Sequence, residues 1–477
     1  MGSRWTDCVC IGIDRLLLAA WMPLVLLLDP GTPVRAQETI NSELPEVAGE
    51  EGDAPEGLTG DWGGLRTMLW QKGFELGVTY LGEGLGNPVG GTRRGGIYEG
   101  RLEMSFDLDF EKAVGWDGAT FHANAYQIHG KGLSARDLGN NLLIASGIET
   151  APSSRLFDLW LQQDLFERAL SVRAGQIAAD DEFFISRYAA TFINATFGWP
   201  AILAADLPSG GPAYPFATPG VRVNVAVPAK DVSLSAAVFN GDSVGPGQGD
   251  PQERNRSGTN FRTGDGAFVI GELAYAVNAG KSDPGLPGSY KLGGWYHTGT
   301  FPDQRFDTTG RSLADPASAG TPGSHHGNYG FYLIADQMLW RRAGTADEGL
   351  GAFLRLSGSP ADRNLVDLYA DGGLTFKGLL PGRADDVLGL GAAFARMSNA
   401  AGQFDSDTNA FNGTNGPRRS FEAAIELTYR AQVTPWWTIQ PDFQFIIHPG
   451  GNSANPNNPS DAIPNAFVLG LRSAIKF

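Results

Sequence analysis

The chain has 477 residues, 65 of them Gly and 29 Pro, with only 18% charged residues and a net charge of −16. That balance excludes a nucleic-acid binder, which needs a basic face, and two cysteines exclude a disulfide scaffold. A mean hydropathy of −0.17 fits a soluble protein, and equally a barrel whose strands carry as many lumen-facing polar residues as lipid-facing apolar ones.

The N-terminus has the pattern of a secretory signal. Arg4 and Arg15 precede an apolar run from Leu16 to Leu28, broken only at Pro23, and Val34-Arg35-Ala36 offers a small-residue cleavage site before Gln37. The run is too short to span a bilayer, which takes about 20 residues. Residues 1–36 are therefore expected to be a signal peptide. Cys8 and Cys10 both fall inside it, which leaves a cysteine-free mature chain for an oxidising compartment. Residues 37–57 are acidic, contain Pro and Gly, and have little to bury, as a flexible periplasmic tail would. Leu65, Met68 and Leu69 then recur at helical spacing before Gly73. A helix this short needs something to pack on. Residues 37–73 thus form a tail with a short helix, and 74–477 the main domain.

From Phe74 onward, alternating segments are separated by turns. The expected strands are Phe74–Leu81, Tyr98–Phe110, Ala119–Ile128, Leu156–Leu165, Leu170–Ile177, Val221–Val227, Val232–Phe239, Ala267–Val277, Tyr290–Phe301, Tyr329–Trp340, Leu350–Ser357, Leu365–Lys377, Val387–Met397, Phe421–Val433, Trp437–His448 and Ala466–Phe477. Most come near the 9–11 residues that a tilted strand needs to cross a membrane. Connections alternate in length. Long ones cover residues 82–97, 129–155, 178–220, 241–266, 302–328, 398–420 and 449–465; short ones include 229–231 and 434–436. One long connection is missing, between Ser357 and Leu365. Short periplasmic turns and long external loops are the outer-membrane barrel pattern, and a soluble sandwich gives no reason for it. The fold class expected is all-β, a transmembrane antiparallel barrel of about 16 strands.

Within Arg101 to Phe110, Leu102, Met104, Phe106, Leu108 and Phe110 point one way, and Glu103, Ser105, Asp107 and Asp109 the other. Three carboxylates in a dry core would cost several kcal/mol each unless paired; a water-filled lumen removes that cost. Phe421 to Arg430 repeats the logic, with Glu422, Glu426 and Arg430 inward. The last strand alternates Phe467, Leu469, Leu471, Ile475 and Phe477. It resembles the closing strand of bacterial outer-membrane barrels, which the barrel-assembly machinery reads.

Two blocks carry a more specific resemblance. Leu58 to Arg66, LTGDWGGLR, followed by Phe74-Glu75-Leu76, resembles the N-terminal signature of carbohydrate-selective outer-membrane porins of the OprB type. So do Asp137-Leu138-Gly139-Asn140-Asn141-Leu142 through Arg155, Leu156 to Gln163, Arg173-Ala174-Gly175-Gln176 to Phe184, and Phe197-Gly198-Trp199-Pro200 with Pro219-Gly220-Val221-Arg222. The resemblance implies a 16-stranded barrel in the outer membrane that passes small carbohydrates, glucose among them, by diffusion. The partners are then those sugars, outer-membrane lipids and the assembly machinery. No nucleic acid, metal, cofactor or catalytic residue is expected, and a homo-oligomer is left open.

A neutral sugar needs donors, acceptors and a flat aromatic surface, held weakly enough to let go. On the lumen parity, Glu103, Asp107, Tyr126, Asp158, Trp160, Arg173, Arg222, Glu422 and Arg430 are the pathway candidates. The connection 178–220 adds Asp181 and Glu182, and then Phe183, Phe184, Tyr188, Phe192, Phe197 and Trp199. So many aromatics on an external loop would be an exposed patch, so the loop is expected to dip inward and narrow the pore. The mixed charge signs favour sugars over a general or ion-selective pore, which is the near rival. An outer-membrane enzyme using His122 or His297, and a plugged surface anchor, are the distant ones. Gly280-Lys281-Ser282 lacks the first Gly of a phosphate loop, since Tyr275 stands there. His325-His326 has no third ligand nearby in sequence. Trp62, Trp70, Trp436 and Trp437 suit the membrane interface.

Overall fold

The computed structural model describes residues 56–139, 142–227, 230–279, 283 and 285–477. The expected signal peptide with its two cysteines and nearly all of the acidic tail lie outside the described residues, as do Asn140, Asn141, Ala229 and Gly280-Lys281-Ser282.

Sixteen antiparallel strands close into one barrel. They are β1 (Phe74–Val89), β2 (Gly95–Asp109), β3 (Ala119–Gly130), β4 (Ser153–Leu165), β5 (Leu170–Ile177), β6 (Thr218–Val227), β7 (Val232–Asn240), β8 (Ala267–Val277), β9 (Gly288–Asp307), β10 (Pro322–Arg341), β11 (Gly349–Gly358), β12 (Val366–Lys377), β13 (Val387–Met397), β14 (Phe421–Thr434), β15 (Trp437–Ile447) and, after a small loop hairpin β16 (Ala454–Asn455) and β17 (Asn458–Ala462), β18 (Ala466–Lys476). β18 pairs with β1, so that Thr79 lies opposite Lys476. Closure leaves no unpaired edge for lipid to meet.

Alternation explains the wall. Leu273, Leu354, Ile425, Leu427, Leu469 and Leu471 are exposed on its outer face. Between them Glu272, Arg355 and Glu426 point inward and are buried. Helix α1 (Leu65–Gln71) packs where the chain enters the barrel. Leu58 N–H donates to Lys476 O at 2.9 Å, and Phe477 N–H to Val78 O at 2.8 Å, so both ends of the barrel chain are tied at the short-turn rim.

Several expected boundaries move. β1 runs on to Val89 instead of ending at Leu81. β9 and β10 continue through most of the predicted loop 302–328, pairing as far as Asp307 with Pro322. There the hairpin is clasped by the connection after β13: Arg305 Nε donates to Asp407 at 2.8 Å, from a helix over Asn399–Asn412. Phe110 leaves the second strand and opens a short helix, Phe110–Val114. Asp109, on the lumen parity, is its N-cap, accepting from Glu111 and Lys112 N–H at 2.9 and 3.2 Å.

The apolar core lies inside the barrel. Residues between β5 and β6 fold inward: Phe183, Phe184, Phe192, Phe197, Ile202 and Leu203 are buried against Phe239, Phe268, Trp295, Tyr332, Phe353 and Tyr369 of the wall. Each such side chain contributes roughly 1.5–3 kcal/mol by leaving water. The loop comes so close to β13 that a Cβ on Gly391 would sit 2.8 Å from the Phe192 ring.

At the long-loop rim, Asp137 fastens the connection after β1. Thr92 N–H donates to its carbonyl at 2.8 Å, and its carboxylate pairs with Arg93 and, at 2.8 Å, Arg136. Burial pushes this carboxyl up, but the bonds and charges of Arg136 and Arg93 outweigh it and hold it below the usual range. A depressed folded value contributes stability that is present above the unfolded value of about 3.9 and lost as pH falls through the folded one. Amide exchange at Thr92 and Arg93 is expected to accelerate once pH falls below about 4. Unchanged protection down to the folded value would show that the carboxylate does not hold this corner.

Candidate functional site

The inward loop 178–217 is held by wall charges that bond its backbone. On β8, Glu272 accepts from Phe184 N–H at 3.2 Å and Tyr332 O–H at 2.9 Å. On β9, Lys291 Nζ donates to Ile185 O at 3.0 Å. Asp336 of β10 takes the Ser186 hydroxyl and Arg187 N–H. Glu426 of β14 accepts from Ile193 and Asn194 N–H at 2.6 and 3.0 Å. Arg355 of β11 is fully buried and donates to Phe184 O, Thr196 O and Gly198 O, each at 3.0 Å. Its charge is met by Asp371 of β12, itself bonded by Tyr369 O–H at 2.7 Å. The loop's carbonyls and N–H groups would otherwise be orphaned in an apolar interior.

The facing wall, β2 to β6, carries the other side. Cross-strand register sets Asp107 opposite His122, His122 opposite Trp160, Gln162 opposite Arg173, and Arg173 opposite Arg222. His122 Nδ1 lies 2.6 Å from Asp107. The His122 and Trp160 rings stack at 5.0 Å, and the Arg173 guanidinium sits 3.6 Å over the Trp160 ring. Arg173 Nε donates to Gln162 Oε1 at 3.0 Å and its NH1 to Glu182. Arg222 Nε donates to Glu182 Oε2 at 2.9 Å, with Ser171 and Gln162 at 2.8 and 2.9 Å. One carboxylate at the loop's start therefore clamps two arginines from neighbouring strands. Above it, Arg101 lies 4.8 Å over Tyr126 and 5.2 Å over Tyr214, and 3.7 Å from Glu103. Asp158 is buried, accepts from Ala178 N–H at 3.0 Å, and neighbours Asp181.

Nine of the eleven sequence candidates thus share one wall and the loop start: Glu103, Asp107, Tyr126, Asp158, Trp160, Arg173, Asp181, Glu182 and Arg222. Glu422 and Arg430 do not join them, since β14 lies four strands from β2. Glu422 is buried and accepts from Leu143, Gly450 and Gly451 N–H at 2.9, 2.7 and 3.2 Å, as an anchor of the long-loop rim. Tyr126 is buried too, packed 5.0 Å from Phe157. Trp160 does not present a bare ring to a sugar, because His122 and Arg173 flank it from the strands on either side. Sequence reasoning missed Gln162, which ties both arginines together, and Arg187, which is exposed on the loop. His297 serves the loop after β7: its Nδ1 accepts from Gly299 N–H at 2.9 Å, so Nε2 carries the proton it gives to Gly241 O at 2.7 Å. His325 is paired with Asp303 at 2.9 Å.

A closed 16-strand barrel narrowed by an inward loop, with mixed charges facing it, defines a diffusion porin. Residues 93–477 match the family model of the carbohydrate-selective porin, OprB family, and the chain belongs to that family. It is an outer-membrane channel for sugars. Porin B of Pseudomonas aeruginosa is 29% identical over 431 residues, 87% of this chain and 90% of that protein. Putative porin QuiX of Acinetobacter baylyi is 24% identical over 88% of this chain and 93% of its own length. The high-pH structure of OprB from Pseudomonas putida superposes with a TM-score of 0.77 at 25% identity, covering 89% of this chain and 99% of that one.

Proposed function

We propose that the sugars recognised are monosaccharides such as glucose, and that recognition falls where the row Asp107, His122, Gln162, Arg173, Glu182 and Arg222 borders the inward loop. The observation that carries this is the alternation of acceptors and donors along one row of adjacent strands. Hydroxyls around a pyranose edge alternate in the same way, and a row of mixed sign holds no ion strongly. Because the Trp160 ring is flanked, discrimination comes from hydrogen bonds more than from stacking. Residues 1–36 are removed as the signal peptide, 37–73 stay periplasmic, and the strand ending at Phe477 is the part the assembly machinery reads.

Planar-bilayer conductance of refolded protein, titrated with glucose, maltose and sucrose against a neutral non-sugar solute, tests the reading. Saturable block by glucose, weaker for the disaccharides and absent for the control, is expected. Open channels indifferent to all three sugars would make the row a general aqueous lining.

A further inference from the structure

Outside that row the described loops border an open cavity of about 220 Å³, formed by the connections after β3, β5 and β7. Its walls are Trp199, Ala204, Ala213 and Tyr214, with Asp250 and Gln252 at one side. At about 30 Å³ per water, the space holds roughly seven waters, which suits one six-membered ring with its hydroxyls.

We propose that this cavity is a separate carbohydrate subsite at the outer mouth, which takes up a monosaccharide before it reaches the narrow row. The inference rests on the sugar-pore reading. Trp199 is fixed by its indole N–H, which donates to Gly210 O at 3.0 Å, so the ring cannot turn away from the space. Tyr214 is fixed likewise, its O–H donating to Ile148 O at 3.0 Å. The alanines of the short helix Ala201–Asp206 and Ala213 add small apolar lining to those two rings, the kind of surface that the C–H face of a pyranose needs. Asp250 and Gln252 supply polar lining. Gln252 Oε1 is occupied by the Thr150 hydroxyl at 2.6 Å and by Ala151 N–H, which leaves the amide nitrogen as the donor of this lining residue. Asp250 uses one oxygen on Gln252 N–H at 2.8 Å and is exposed, leaving the other as an acceptor. Apolar lining with one donor and one acceptor selects a neutral polyhydroxy ring over an ion.

The cavity also borders the wall cluster. The Tyr214 ring meets Tyr126 edge-on at 5.7 Å and has Arg101 5.2 Å over it, so one wall of the cavity touches the wall cluster.

The test is single-channel block by glucose, added to each side of the bilayer in turn, with wild type and Ala204→Phe. Ala204 is exposed and anchors none of the loop contacts described above, so the ring fills the cavity alone. Block from the loop side is expected to slow at least fivefold in association rate, with block from the turn side and entry of a small polyethylene glycol unchanged. Equal rates from both sides would overturn the subsite while leaving the sugar pore intact. A matching fall in polyethylene glycol entry would overturn it as plain obstruction. Wild-type channels with no glucose block would instead bring down the pore reading itself. Trp199→Leu, which removes the ring without adding bulk, gives the same readout if Ala204→Phe does not insert, folding being followed by heat-modifiable migration in gels.

Discussion

Arg355→Met is expected to raise single-channel conductance and abolish size and sugar selection, while the barrel still inserts. Methionine keeps the stem and removes three donors to loop carbonyls at once, those of Phe184, Thr196 and Gly198. It also strands Asp371, fully buried, whose positive partner was that guanidinium. Breaking a buried pair on one side costs about 3–5 kcal/mol. The barrel need not bear that cost, because the loop can leave the wall and let water reach Asp371. The penalty therefore appears as release of the loop, and conductance reads it. Deleting Phe184 to Trp199 should open the pore as far or further, because Glu272, Arg355 and Glu426 then meet water directly, but at a larger cost in stability, because the burial of Phe184, Phe192 and Phe197 against the wall is lost. Urea unfolding should rank Arg355→Met above the deletion. Conductance unchanged in both would mean that the loop does not set the narrowing.

That contrast marks what the sequence could say. The barrel was legible because its signal is a period of two, which needs no knowledge of partners. Leu102, Met104, Phe106 and Leu108 fix the outer face by themselves, and the parity of loop lengths fixes the ends. The β9–β10 extension was hidden because above the membrane neither face is apolar, so Gln304 or Ser324 reads as loop. Asp109 sat on the right parity, yet the helix after it claimed its carboxylate. The largest misreading concerned inward charges. Glu422, Glu426 and Arg355 look like wet lumen residues until a loop hundreds of positions away covers them, and no local pattern carries that information. The aromatic run from Phe183 to Trp199 did point to an inward loop, since so much apolar surface has no place in solvent. Its unmet backbone groups could have pointed to the inward carboxylates as acceptors. Trp160 shows the same limit: its ring faces are set by register across three strands.

Glu182→Ala should act on selectivity more than on conductance. The carboxylate bridges Arg173 and Arg222 and offsets one of their two charges, with Nε of Arg222 at 2.9 Å, and all three side chains are largely buried. Removing it leaves two guanidiniums on adjacent strands with Gln162 as their shared acceptor. Reversal potentials in a salt gradient should then move toward anions, because the row has lost its balancing charge. Glucose block should weaken about tenfold or more: a hydrogen bond to a charged group is worth about 1.5–3 kcal/mol, and 1.4 kcal/mol is tenfold. The double variant Glu182→Ala with Arg222→Ala separates the two effects. It restores the charge balance, so ion selectivity should return toward wild type. It does not restore the paired donor and acceptor, so sugar block should stay weak. Recovery of block along with ion selectivity would mean that the row acts through its net field alone, and that hydrogen bonds from Arg222 and Glu182 do not read the sugar.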